Sequence, residues 1–227
     1  MSLGALLVYF AILILIPLWA QMKVKSAYSK YSQVPASSGM TGAQVARKIL
    51  DDNGLYNVSV EPVKGKLTDH YDPRAKAVRL SEENYYGHSV AGAAVAAHEV
   101  GHAMQDAEDY AFLRFRHALV PVANFGSNGA IFIIIAGMLM GAMNLMLLGI
   151  IFMAAAVLFQ LVTLPVEFNA SSRAMQQIVS VGVIRNNEER ETKKVLDAAA
   201  LTYVAAAVVA VMELTRFILM YVAMNRD

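Results

Sequence analysis

Two histidines four residues apart, with a glutamate beside the first, are the residues of this chain best suited to chemistry. They stand in Ala97-His98-Glu99-Val100-Gly101-His102-Ala103. On an α-helix, positions i and i+4 leave the same face about one turn apart. Two imidazoles so placed can bind one tetrahedral Zn²⁺. Glu99 can reach a water whose pKa a metal has lowered, and take its proton, without being a ligand itself. With five histidines in 227 residues, a chance His-Glu-x-x-His is rare. Two histidines and a catalytic water leave one position of a tetrahedral site to fill. The chain has no cysteine, so that position falls to His, Asp or Glu.

The surrounding sequence supplies the elements that hold this motif. Ser89 can cap a helix whose first turns, Val90 to Ala97, are small and apolar. Gly101 lets other backbone or substrate approach closely. Upstream, Thr41 is expected to cap a helix to about Asn53, with Val45, Ile49 and Leu50 as its apolar stripe and Gly54 as its stop. Tyr56 to Val63 alternates like a strand, Lys64-Gly65-Lys66 reads as a turn, and Leu67 to Pro73 is irregular and polar. Ala77 to Ser81 reads as a short strand. One reading makes it a sheet edge at which Ala77, Val78, Arg79 and Leu80 hold an extended peptide by backbone hydrogen bonds. The other makes it a structural hairpin strand. Beyond the motif, Gln105, Asp106, Glu108 and Asp109 read as solvated.

Composition places these elements at a membrane. The chain is 57% hydrophobic and 16% charged, with a mean hydropathy of +0.45. Those values point to several spans. A net charge of +1 gives no basic excess for nucleic acid. Leu3 to Ala20 is expected to be an uncleaved anchor, with Trp19 at its interface and Lys23, Lys25 and Lys30 following. Pro121 to about Met140, Leu145 to about Leu164 and Val195 to Ala223 read as three more spans. Gly137 and Gly141 could allow close helix packing. Asn124, Ser127 and Asn128 form a polar stripe that suits interhelical hydrogen bonds. Glu213 falls within the last span, where Arg216, three residues on, suits a structural pair. By the positive-inside rule both termini lie outside. The motif and Pro165 to Lys194 then share the cytoplasmic side, where the central hairpin can return Glu167 to the histidines. His70 and His88 remain open as third ligands.

Four segments together resemble the YugP-type family of bacterial membrane neutral zinc metallopeptidases. They are Leu67-Thr-Asp-His-Tyr-Asp-Pro73, Val78-Arg-Leu-Ser81, Val95-Ala-Ala-His-Glu-Val-Gly-His-Ala-Met-Gln105 and Pro165-Val-Glu-Phe-Asn-Ala-Ser-Ser-Arg-Ala174. The resemblance runs from about Thr41 to the fourth span. It implies a zinc peptidase with His98, His102 and Glu167 as ligands and Glu99 as catalytic acid and base. Glu167 to Ser171 is also similar to the third-ligand segment of the HtpX-type membrane peptidases, with Ser171 where those have Asp.

The fold expected on these grounds is mainly α and integral to the membrane. About four transmembrane helices carry a small α+β zincin-like (gluzincin) catalytic domain on the cytoplasmic face. The expected order is an anchor over 1–22, a catalytic segment over 23–117, a transmembrane hairpin over 118–164, a cytoplasmic helical segment over 165–194, and a last span with a short tail over 195–227. The expected activity is zinc-dependent endopeptidase on protein substrates at the bacterial cytoplasmic membrane. The expected partners are a peptide or protein substrate, the lipid bilayer, and a membrane-protein partner or further copies of the chain. Ser171 can support a ligand, and Arg173, Tyr85, Tyr86, His88 and His70 are candidates to stabilise an oxyanion. The rivals are a non-catalytic zinc-binding scaffold or adaptor, for which Glu99 would be superfluous, and a zinc hydrolase of lipids or non-peptide amides.

Overall fold

The computed structural model describes residues 2–225, apart from the side chains of Asn128, Asn186 and Asn187, so the Arg226-Asp227 tail and one member of the polar stripe lie outside it. The element order is α1 (Leu3–Tyr31), α2 (Gly42–Asp52), β1 (Ser59–Val63), β2 (His70–Asp72), β3 (Ala77–Ser81), α3 (Glu82–Tyr86), α4 (Val90–Ala107), α5 (Ala111–Leu139), α6 (Met143–Ser180) and α7 (Asn186–Met224). The chain divides into two compact units.

One unit comprises the residues up to Leu18, Ala111–Pro165 and the residues from Tyr203 onward. Among the described residues three helices, α1, α6 and α7, are long and apolar enough to cross a membrane. The two parts of α5, Ala111–Ser127 and Gly129–Leu139, meet at 42° and make a fourth crossing if taken as one. Gly126, Ser127 and Gly129 surround that bend, where weak helix formers let the ladder yield. The two glycines read together as a packing pair do different things. A Cβ on Gly137 would run into the backbone of Met146 on α6, whereas Gly141 takes φ +64° in the α5–α6 turn. Glu213 is fully engaged within this unit. Tyr9 donates to its Oε1 at 2.6 Å and Arg216 to its Oε2 at 2.7 Å. The Arg216 guanidinium also lies 4.2 Å from the centroid of the Phe217 ring. An acid in an apolar setting needs such partners.

The other unit comprises Trp19–Tyr110 and Val166–Thr202. Its core gathers Val45, Ala46, Ile49 and Leu50 of α2, Val78 and Leu80 of β3, the alanines of α4 from Ala91 to Ala103, and Ala174 and Ile178 of α6. Ile49, Leu50 and Leu80 are fully buried, which stabilises the unit by about 1.5–3 kcal/mol for each. Helix α2 begins with a capping box. Thr41 Oγ1 accepts from Gln44 N at 3.1 Å, and Gln44 Oε1 accepts from Thr41 N at 2.9 Å. Gly54, at φ +72°, follows its last turn.

The sheet corrects one expectation. Its order is β1-β3-β2, with β1 parallel and β2 antiparallel to β3. Ala77, Val78, Arg79 and Leu80 therefore lie in the central strand, not an edge, and the first three pair with strands on both sides while Leu80 pairs with β1. Beyond the register with β2, Ser81 N donates to Asp69 Oδ1 at 2.8 Å. Ala77, Val78 and Leu80 are buried, and Arg79 spans the sheet by donating to Asp72 Oδ2 at 2.8 Å and Glu61 Oε2 at 3.1 Å. The edge reading failed because β2 is three residues long and lies inside a stretch that looked irregular. At that length no alternation is visible.

Helix α4 starts where Ser89 Oγ accepts from Gly92 N at 3.0 Å. Its small residues allow close neighbours. A Cβ on Gly101 would stand 2.6 Å from the Ala170 carbonyl oxygen and 3.2 Å from its Cα, so only glycine admits α6 at this distance. At its far end, Asp106 is buried, contrary to the solvated reading. Its Oδ2 accepts from Tyr71 Oη at 2.7 Å and from Lys76 Nζ at 2.6 Å, which ties the β2–β3 hairpin to the helix.

Gly101→Ala separates propensity from packing. Alanine gains up to about 1 kcal/mol in helix propensity, but overpacking against a backbone costs about 1–3 kcal/mol. The expected outcome is a lower unfolding temperature in detergent micelles. A rise in that temperature would contradict this close approach.

Candidate metal centre

The approach of α4 and α6 brings together three side chains separated by up to 69 residues of chain. His98 Nε2 lies 3.3 Å and His102 Nε2 3.6 Å from the same atom, Glu167 Oε2. The two imidazoles stand edge to face with centroids 4.8 Å apart. Their candidate ligand atoms and that of Glu167 all lie within 4.8 Å of one another. Among the described residues this is the single group of three or more His, Asp or Glu that meets that condition. Tetrahedral bonds of about 2.0–2.2 Å set ligand atoms about 3.3–3.6 Å apart. The two nitrogen-to-oxygen distances match that edge, and the donor set of two imidazoles and a carboxylate suits Zn²⁺.

Each imidazole is held by its other nitrogen. Ser171 Oγ lies 3.2 Å from His98 Nδ1. Gln105 Oε1 lies 3.0 Å from His102 Nδ1. Such partners turn Nε2 toward a metal and make it a better donor. Ser171 thus stands where the sequence suggested support for a ligand, although it contacts the first histidine.

Gln105 was missed. It is completely buried, and its Nε2 donates to the Val166 carbonyl at 2.8 Å and to Asn169 Oδ1 at 2.9 Å. A polar residue after the motif looks solvated, yet positions 98, 102 and 105 share one helix face, and α6 covers it. That spacing was the available signal.

The site is electrostatically suited to a cation. Glu167 is 2% exposed and Glu99 9% exposed. Burial by itself pulls the His102 imidazole's pKa down. The hydrogen bond to Glu167, the negative charges of Glu167 and Glu99 and the bond to Gln105 outweigh it, and the pKa ends above its ordinary value. A field that favours a proton on His102 equally favours a metal ion between these groups.

The other candidates stand elsewhere. His70 Nδ1 is 2.8 Å from the Thr68 carbonyl and His88 Nδ1 is 2.8 Å from the Gly39 carbonyl; both residues are exposed, and neither joins the trio. Tyr85 and Tyr86 stack edge to face on each other. Arg173 donates from Nε to Asn169 Oδ1 at 2.7 Å and from its two terminal nitrogens to Glu108 at 2.7 Å each. That guanidinium holds the Glu108 carboxyl below its usual range. Three of its five N–H groups are thus engaged by protein groups.

Comparison with known proteins agrees with this centre. The family described as "Putative neutral zinc metallopeptidase" matches residues 6–222. The chain is 62% identical over 203 residues to "Putative membrane protease YugP" of Bacillus subtilis (strain 168), which covers 89% of this chain and 90% of that one. No solved structure matches.

Glu167→Ala leaves two imidazoles and no carboxylate on this centre. Chelator competition should show zinc affinity falling by more than the roughly 10–100-fold that follows loss of a group merely supporting a ligand. His88→Ala should keep the wild-type affinity. Unchanged zinc binding in a folded Glu167→Ala protein would remove the carboxylate from the centre.

Proposed function

The chain belongs to this zinc metallopeptidase family, and from that premise we propose that it is a membrane-embedded zinc-dependent endopeptidase that hydrolyses peptide bonds of membrane-associated or cytoplasmic proteins. The observation that carries the reading is the convergence of His98, His102 and Glu167 beside a nearly buried Glu99. In this reading His98, His102 and Glu167 would be the protein ligands of the metal ion. Zn²⁺ held there supplies Lewis acidity to a water and to the scissile carbonyl. Glu99 takes the proton of the attacking water and returns it to the leaving amine. It sits one residue after a ligand, so its carboxylate reaches the water without competing for the metal.

A scaffold that keeps zinc for structure has no use for Glu99. Peptide, rather than another amide, is supported by the relative's description as a membrane protease. The β3 strand offers no such support once it is interior. Lys23, Lys25 and Lys30 after the first apolar stretch, and Arg185, Arg190, Lys193 and Lys194 before the last one, favour a centre on the cytoplasmic side of a bacterial cytoplasmic membrane.

Glu99→Gln is the direct test. The variant should keep about one Zn²⁺ per chain, as the ligand set is untouched. Its hydrolysis of a fluorogenic peptide, measured after reconstitution into liposomes, should fall by about a hundredfold or more. Turnover near that of the wild type would reject Glu99 as the base.

A further inference from the structure

A cleft of about 550 Å³ opens within the unit formed by Trp19–Tyr110 and Val166–Thr202, and none of the three candidate metal ligands lines it. One wall is a single face of α1, on which Gln21, Val24, Lys25, Tyr28, Ser29 and Ser32 recur at helical spacing. The β1–β2 loop adds Lys66 and Leu67, α3 adds Glu83 and α7 adds Thr202. Buried hydrogen bonds fix these walls to one another. Asn84 is 1% exposed. Its Oδ1 accepts from Tyr28 Oη at 2.8 Å, and its Nδ2 donates to both Asp69 carboxylate oxygens at 3.0 Å. Asp69 stands two residues past Leu67, so the same amide holds the loop and α1. Leu67 itself is half exposed at φ +54°. That backbone is strained for a leucine. Such strain persists only where the surroundings over-determine it, as at ligand clamps.

We propose that this cleft binds the phosphate headgroup of an anionic phospholipid, with Lys25 and Lys66 as its cationic contacts and Val24 and Leu67 against the glycerol and the start of the acyl chains. Among the described residues the two lysines form no ion pair. Residues 19–34 carry Lys23, Lys25 and Lys30 and no acid, and residues 62–68 carry Lys64 and Lys66 and no acid. Glu83 is the one acid of the lining. Position favours a lipid over a soluble phosphate. Helix α1 continues unbroken from the apolar run Leu3–Ala20, and Lys25 lies five residues past that run, about 7.5 Å along the axis. The headgroup layer of a bilayer is itself about 5–8 Å deep. On α7, Thr202 lies five residues past Asp197, the last charged residue before that helix's apolar stretch. Basic pockets beside membrane helices at this level suit anionic headgroups, and a soluble phosphate has no use for the apolar part of the wall. The site is independent of the metal centre and requires only that α1 cross a bilayer.

Native mass spectrometry of the full-length protein, released from micelles doped with phosphatidylglycerol or phosphatidylcholine, reads how many lipids are retained and their apparent affinities. The wild type should retain one phosphatidylglycerol per chain ahead of any further lipid, and should prefer it to phosphatidylcholine. Lys25→Gln and Lys66→Gln should each weaken that first affinity by about fivefold. Glu83→Gln removes a charge of the same sign as the phosphate and should strengthen it. The control combines Lys23→Gln with Lys64→Gln, which removes the same charge from outside the lining and should leave the first phosphatidylglycerol in place. All of these side chains are exposed, so the substitutions spare the core. Equal losses in the Lys25→Gln, Lys66→Gln double variant and in the control would mean a diffuse basic surface and overturn the site. So would equal affinity for phosphatidylcholine. Displacement of the lipid by an equal concentration of glycerol 3-phosphate would make the ligand a soluble phosphate and overturn the assignment to a lipid.

Discussion

A carboxylate as deeply buried as that of Glu167 needs positive charge and hydrogen bonds around it, and much of the surrounding unit's detail follows from that need. An isolated buried carboxylate is strongly destabilising, whereas one shared among donors or a metal is not. Two imidazole nitrogens at 3.3 and 3.6 Å meet the requirement in this structure. They can do so because α6 lies against α4 at Gly101, where a Cβ would collide with the backbone of Ala170. The polar groups next to this contact are mutually satisfied: Ser171 with His98, and Gln105 with His102, Val166 and Asn169. A polar network in a low-dielectric interior rigidifies a site only when its members are paired.

Local signals in the sequence revealed the parts whose cause is local. The histidine spacing, the Ser89 cap, the Thr41 capping box and the range Ala77–Ser81 all depend on residues within a turn or a few positions of one another. The apolar stretches likewise correspond to three or four helices, among the described residues, that are long and apolar enough to cross a membrane. Helix ends were less legible. Helix α6 continues through Pro165 to Ser180, and α1 runs past Ala20 to Tyr31, because packing of their polar portions sustains helix beyond the apolar run.

What stayed hidden was long-range. Gln105 and Asp106 look like the solvated end of a helix until α6 and the β2–β3 hairpin are laid over them. The three residues of β2 carry no period that could distinguish strand from loop, and its antiparallel pairing places β3 inside the sheet. Arg173 had the right charge for an oxyanion. Only the structure reveals that Asn169 and Glu108 engage three of its five N–H groups. The Glu167 assignment occupied a middle ground. The residue type and the return of the chain were readable, but His70 and His88 stayed open until their ring nitrogens were found on the carbonyls of Thr68 and Gly39.

The measurement that bears most directly on this centre is X-ray absorption at the zinc edge of the loaded, full-length protein in micelles. A site made by His98, His102 and Glu167 should give two imidazole shells, with the remaining first-shell scatterers being oxygens at about 2.0–2.2 Å. In the Glu167→Ala protein, at zinc concentrations that force occupancy, the imidazole count should stay at two. A spectrum requiring three imidazoles in the wild type would put another histidine on the metal and contradict the ligand set.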